Sequence, residues 1–386
     1  MEKESMTGKE RVLLALNHEI PDKVPWGEFA IDYDTVERVI GHETYLRAKA
    51  KSQIAFWEGR RDEVAQSWKE DIIEFYKKLD FIDIVNLAAM CTGFLPPRNY
   101  EPERPRRIDK NTWQFDDGRI YKYSLVTSDL TLVEDPQKWI RQFRIEDFDP
   151  DEEPEPPDPS QFEVVDAVIK VFKDEKFILG PDGGEIGLLL LGGMERGLME
   201  YAIHPEIVKQ ATETAVSKAD KLDKYYIREG QDGVMWGTDF ASNKGPFISP
   251  KMFREFCLPA IKKRVKNVKG FGMKVAKHAC GNNLQLMDMF IEADYDAYQS
   301  IQESSGINLE WLKENYGDKI ALWGGVNVEN LVDGTPEDIR KDVRKAMRVL
   351  KPKGGYIFGT SHTIAVGTKY DNFMAMVEEY LKTCSY

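Results

Sequence analysis

Gly272-Met-Lys-Val-Ala-Lys277 runs directly into His278-Ala-Cys280-Gly-Asn282, an apolar stretch that reads as a β-strand ending in two metal-seeking side chains. Residues two apart on a strand point the same way, so the imidazole and the thiol are aimed together into the space beyond it. A borderline-soft cation such as Zn²⁺ favours that donor pair. A third donor is offered by His362 in Gly359-Thr-Ser-His362, which follows another short apolar run, Gly355-Tyr-Ile-Phe358. The rival reading of His362 is a histidine that binds an anion or hydrogen-bonds substrate.

Outward from that stretch, short apolar runs alternate with longer helical patterns, the signature of parallel βα units. Strands are expected at Lys23–Phe29, Phe81–Leu87, Lys176–Gly180, Gly233–Thr238, Met273–His278, Asp296–Ile301, Lys319–Gly324 and Gly355–Gly359. Eight units in a row predict a closed α/β (β/α)8 TIM barrel spanning residues 1–386 as a single domain. Helices are expected over Pro205–Glu229, over Lys251–Lys269 behind Ser249-Pro250, and over Ile339–Leu350 behind Thr335-Pro336. A helix over Thr7–His18 is expected to plug or flank the barrel.

One interval breaks the repeat. About ninety residues separate strands two and three, far more than one helix needs, so an insertion lies at about 100–160. Within it, Trp113-Gln-Phe-Asp-Asp-Gly118-Arg-Ile-Tyr-Lys-Tyr123 carries an Asp-Gly turn between alternating segments and reads as an inserted β-hairpin. Phe148–Ser160, rich in proline and acids, reads as an extended connector.

Composition narrows the function classes. The 386 residues, 42% hydrophobic, suffice for a substantial core. No uninterrupted apolar segment approaches the ~20 residues that cross a bilayer. Met1–Ser5 lacks the start of a secretion signal, so a cytoplasmic location and no membrane partner are expected. A net charge of -13 without a basic cluster argues against nucleic acid. The four cysteines are widely spaced, which predicts reduced thiols. Cys257 reads as a buried apolar residue, and Cys384 as part of a frayed terminus.

Barrels place chemistry at the C-terminal ends of their strands. The polar residues there are Glu28, Asn86, Asp182, Glu185, Asp239, His278, Cys280, Gln299, Asn327 and His362, one mouth in all. Glu185, in a glycine-rich loop, and Asp239 are the candidate catalytic carboxylates, able to complete a metal shell or move a proton. Glu28, Asn86, Trp236, Gln299 and Asn327 are candidate substrate contacts, although Trp236 reads more as packing than as a substrate platform.

Several segments together resemble the uroporphyrinogen decarboxylase superfamily over nearly the full chain. They are Thr7–Leu16 with Pro21-Asp-Lys-Val-Pro25; Gly237-Thr-Asp239 with Gly245–Pro250; His278–Asn282; Trp323-Gly-Gly-Val-Asn327; and Gly354–His362. The resemblance implies the (β/α)8 fold counted above. Decarboxylases of the family carry an arginine-rich loop after the first strand, where this chain has Gly27-Glu28-Phe-Ala-Ile-Asp32-Tyr-Asp34; three acids there would repel a polyanion. Val85–Met90 also lacks the aspartate expected after the second strand.

The chain is more similar to the corrinoid-dependent methyltransferase and O-demethylase branch. The zinc enzymes of that branch share the His-x-Cys pair; their further cysteine ligand near the last strand is replaced here by Ser361-His362, which resembles the O-demethylases more closely. That likeness implies an enzyme of anaerobic metabolism: a zinc-dependent methyltransferase moving a methyl group from a small methoxylated, aromatic donor to the Co(I) corrinoid (cobalamin) of a partner protein. The alternatives are a methyl-corrinoid enzyme with a thiol acceptor and a non-catalytic corrinoid- or tetrapyrrole-binding protein. A corrinoid-binding protein and a small methyl donor are the expected partners, with a homodimer left open.

Overall fold

The computed structural model describes residues 6–91 and 95–386; the Met1–Ser5 stretch read for a leader lies outside them. Seven parallel strands form one sheet in chain order: β1 (Ile84–Asn86), β2 (Phe177–Gly180), β3 (Gly233–Trp236), β4 (Lys274–His278), β5 (Ala297–Ile301), β6 (Ala321–Val326) and β7 (Tyr356–Thr360). All are short and buried along their length apart from the half-buried Lys274, as expected where helices cover the outer face.

The first expected strand, Lys23–Phe29, is not a strand. This segment makes only isolated bridges, Lys23 to Ser385 and, in parallel, Trp26 to Phe358. Pro25 has no N–H to give a ladder, and the Trp26 N–H is taken by the Asp83 carboxylate at 2.9 Å. The segment nevertheless closes the ring. On one side Phe358 N donates to Pro25 O (2.8 Å) and Gly27 N to Phe358 O (3.0 Å); on the other Asp83 N and Ile84 N reach Trp26 O (2.8 and 3.2 Å). A Cβ on Gly27 would lie 2.6 Å from Ile84 and 2.7 Å from Trp323, so only glycine allows this approach.

Inside the ring, Ile84, Phe177, Leu179, Met235, Trp323 and Ile357 pack with Val12 and Leu16 of the N-terminal helix Gly8–Leu16. That helix starts at Thr7, whose side chain and Glu10 form a capping box. It is tied to the N-terminal ends of the strands by Arg11–Asp83 and Lys9 N–Glu175 O. The floor of the barrel is thus plugged, and chemistry is left to the other mouth.

Helix Pro205–Tyr226 and helix Pro336–Leu350 form where their prolines and period place them. The expected Lys251–Lys269 helix is interrupted by a π-turn, Phe253–Cys257, before Leu258–Gly270. Pro259 cannot donate back into the preceding turn, and the wider turn absorbs the missing bond. Between β1 and β2 stands a four-stranded antiparallel sheet, Arg106–Asp109, Thr112–Gln114, Ile120–Tyr123 and Leu130–Glu134. It packs Trp113 and Phe115 against Trp57. The acidic connector lies along helix Pro205–Tyr226, its Phe148 and Pro150 carbonyls accepting from Gln210 and Ser217. Cys257 is buried; Cys384, expected at a frayed end, is buried too, because its carbonyl accepts the Val24 N–H at 2.9 Å and docks the terminus. No helix among the described residues is long and apolar enough to cross a membrane.

Candidate metal centre and active site

Alternation along β4 settles which way its ends point. Ala276 belongs to the barrel interior and Val275 to the outer layer, so His278 turns inward and Lys277 outward. Two residues on, the Cys280 N–H is held by Asp239 Oδ1 (2.8 Å), and Asn283 Nδ2 gathers the carbonyls of Ala279 and Cys280 (3.0 and 2.9 Å). This turn presents the sulfur 3.2 Å from His278 Nε2. From the end of β7, His362 brings its ring to 5.3 Å from that of His278, at 81°. Donor atoms of His278, Cys280 and His362 all lie within 4.8 Å of one another. Tetrahedral zinc with its usual bond lengths needs donors roughly 3.4–3.8 Å apart; the His278–Cys280 pair, at 3.2 Å, is already at about that spacing, and the His362 donor has to move in to join it.

The surroundings of His278 fix its orientation and its charge. Its Nδ1 faces Gln299 Oε1, and Gln299 Nε2 donates to the Thr360 carbonyl at 3.0 Å, which fixes the amide's orientation. Nδ1 therefore carries the hydrogen and Nε2 presents its lone pair beside the sulfur. Burial, with repulsion from His362 second, pushes the imidazole down to about 3, so the ring is neutral. The Cys280 thiol is pushed up to about 12 by burial and then by Asp239; a divalent cation reverses that preference by its own charge. His362 is lowered by burial. Its Nδ1 accepts the Thr363 N–H at 2.7 Å, which leaves the hydrogen on Nε2. Ligation by His362 thus requires its ring to release that bond.

Phe29, flagged by no motif, stacks on His278 at 3.8 Å and 15° and lies edge-on to His362 at 6.3 Å. Its carbonyl is pinned by Asn86 Nδ2 at 2.8 Å. A half-buried ring between two ligands walls the site. The signal was its position one residue past Glu28 at the first strand end.

Several candidate substrate contacts are committed elsewhere. Trp236 is 2% exposed; Met235 before it points inward, so the indole faces outward and donates to Asp182 Oδ2 at 2.5 Å. It packs, and is corrected from a substrate contact. Gln299 and Asn86 are fully buried and serve His278 and the Phe29 backbone. Glu28 accepts from Trp26 Nε1 (2.7 Å), Thr360 N (3.0 Å) and Thr360 Oγ1 (2.5 Å); burial pushes it up to about 7. Asn327 binds Asp342 at 3.2 Å. Of the two carboxylates, Glu185 pairs with buried Lys277 (2.6 Å) and accepts the Thr238 N–H (2.7 Å), whereas Asp239 faces the Cys280 loop.

At the ends of β1 and β2, where the sheet meets the outer helices, lies a cavity of about 160 Å³ lined by Trp68, Leu87, Cys91, Val165, Met235 and Asp182; none of His278, Cys280, His362 or Phe29 lines it. Burial, against the pull of Arg264, pushes Asp182 up to about 6.

A solved methyltransferase from Methanosarcina mazei shares this fold, with a TM-score of 0.64 at 18% identity, covering 98% of this chain and 99% of that one. An AP endonuclease, family 2, from Brucella melitensis aligns over 57% of this chain and 85% of its own, with a TM-score of 0.34 and 14% identity. No curated protein matches the sequence. The family model described as uroporphyrinogen decarboxylase (URO-D) matches residues 189–382, just over half of the chain and the part that carries His278, Cys280 and His362. The chain belongs to the uroporphyrinogen decarboxylase family.

Proposed function

We propose that the protein is a zinc-dependent methyltransferase that takes the methyl group from a small methoxylated aromatic donor and delivers it to the Co(I) corrinoid of a partner protein. The observation that carries this reading is the convergence of His278, Cys280 and His362 at the C-terminal mouth, with His278 held neutral and oriented by Gln299. Imidazole and thiolate donors suit zinc over harder cations. When bound there, zinc supplies Lewis acidity to the oxygen that leaves as the methyl departs.

The chain's own residues supply the rest. Phe29 excludes water from the ligand rings and offers an apolar face to the donor. Asp239, which pairs with no cation among the described residues, is the carboxylate that orients a ring hydroxyl or takes its proton, while Glu185 acts as the counter-charge of Lys277.

The test combines metal content with turnover. Wild type, His278→Ala and His362→Ala are assayed for zinc stoichiometry and for methylation of Co(I) corrinoid across methoxyaromatics, methanol and methylated thiols. Wild type is expected to hold one zinc and to turn over methoxyaromatics; His278→Ala loses both, and His362→Ala keeps weakened zinc and loses turnover. Full activity of zinc-free wild type refutes the metal's role, and turnover confined to methylated thiols refutes the donor class.

A further inference from the structure

β5 carries a defect at the point where it meets the site. Its pairing with β6 shifts register between Gln299 and Ile301. Ser300 between them has φ +82, and among the described residues it is the one non-glycine with positive φ inside a strand. A left-handed backbone is unfavourable for any residue with a Cβ, and such strain persists only where its surroundings enforce it.

The bulge changes what the strand can do. Tyr298 and Ile301 both belong to the outer layer although they lie three residues apart, which regular alternation forbids. The extra residue lets two consecutive side chains serve the ligands. Gln299 reaches His278 Nδ1, and Ser300, fully buried, places its hydroxyl 3.6 Å from Cys280 Sγ and 2.7 Å from the carbonyl of Ser361, the neighbour of His362. Ser361 in turn accepts the Val328 N–H with its own hydroxyl at 3.1 Å. A regular strand would turn Ser300 toward the helices and leave the sulfur without this neighbour.

We propose that Ser300 is a positioning residue for the metal ligands: its hydroxyl, delivered by the strained bulge, sets the Cys280 sulfur and the Ser361–His362 loop at one separation. This rests on the metal site proposed above.

The test uses the full chain loaded with Co²⁺ as a spectroscopic substitute for zinc. Ser300→Ala and Ser300→Gly are compared with wild type by chelator competition and by the sulfur-to-cobalt charge-transfer band, with circular dichroism as the fold control. Both variants are expected to bind roughly 10–100-fold more weakly, the usual cost of losing a partner of a metal ligand, with a displaced band. Wild-type affinity and band in both variants overturn the proposal. Recovery in Ser300→Gly alone assigns the effect to backbone strain and overturns the hydroxyl's role. Should Ser300→Ala fail to fold, Ser300→Gly, which accepts the left-handed backbone, carries the same test. Wild type binding no more cobalt than His278→Ala refutes the metal site itself, whereas tight wild-type binding matched by the Ser300 variants refutes only the role of Ser300.

Discussion

Replacing Gln299 with leucine separates a positioning role from a substrate contact. The amide is fully buried and joins His278 Nδ1 to the Thr360 carbonyl, so it bridges the strands that carry two of the proposed ligands, His278 and His362. Leucine fills the volume but leaves a buried N–H and a buried carbonyl without that partner, at about 1–3 kcal/mol each, less about 1 kcal/mol regained from apolar contact. The expected net loss is roughly 1–5 kcal/mol, which for a chain of this length lowers the melting midpoint by about 1–6 °C. With Nδ1 unpartnered, the ring loses both its tautomer and its orientation, and zinc affinity should fall about 10–100-fold. Calorimetry of the metal-free protein reads the first number and chelator competition the second. Zinc-saturated Gln299→Leu should retain the wild-type KM for the methyl donor. A variant that binds zinc as wild type does and raises only KM refutes the reasoning and restores Gln299 as a substrate contact.

Two further predictions concern buried charges. Glu28 has a folded value of about 7 against 4.5 for the free side chain, so the folded state holds that proton more tightly. Its contribution is fully present below about pH 4.5 and declines by about 3 kcal/mol as pH rises to 7. The wild type minus Glu28→Gln difference in unfolding free energy should slope downward across that window, and a flat difference refutes it. Lys277 and Glu185 pair in the interior at 2.6 Å, with Lys277 fully buried. Lys277→Met strands the Glu185 carboxylate and should cost about 3–5 kcal/mol in denaturant unfolding, most of it recovered in Lys277→Met/Glu185→Leu. A double variant no more stable than the single one contradicts the pairing.

Much of the barrel was readable because a parallel strand buried on both faces is a short apolar run, and seven of the eight expected runs became β1–β7. The first did not, and the reason is local: Pro25 has no donor, and the Asp83 carboxylate, 57 residues away, takes the Trp26 N–H that a ladder would use. Pattern reading sees the apolar run but not the distant acid that competes for it. The dock of Cys384 against Val24 was hidden in the same way, since termini are judged by their neighbours in sequence and this one is held by a neighbour in space.

At the site, strand-end position marked His278, Cys280 and His362, and the fold brought them together. Facing decided the rest. For Trp236 the period-two rule was enough in principle, because an inward Met235 forces the indole outward against Asp182. For Gln299 and Ser300 no such rule applies: a regular β5 would aim only one of them at the ligands, and the sequence Ala297-Tyr-Gln-Ser-Ile301 carries no glycine to announce a bulge. Only the pairing with β6 shows that one residue too many has been fitted in. The backbone strain at Ser300 is sustained because the neighbouring hydrogen bonds, from Gln299 to Thr360 and from Ser300 to Ser361, all reach the strand end that carries His362. On the proposed metal site, the polar residues of β5 act through the side chains they hold, and variants there should alter metal binding before they alter substrate recognition.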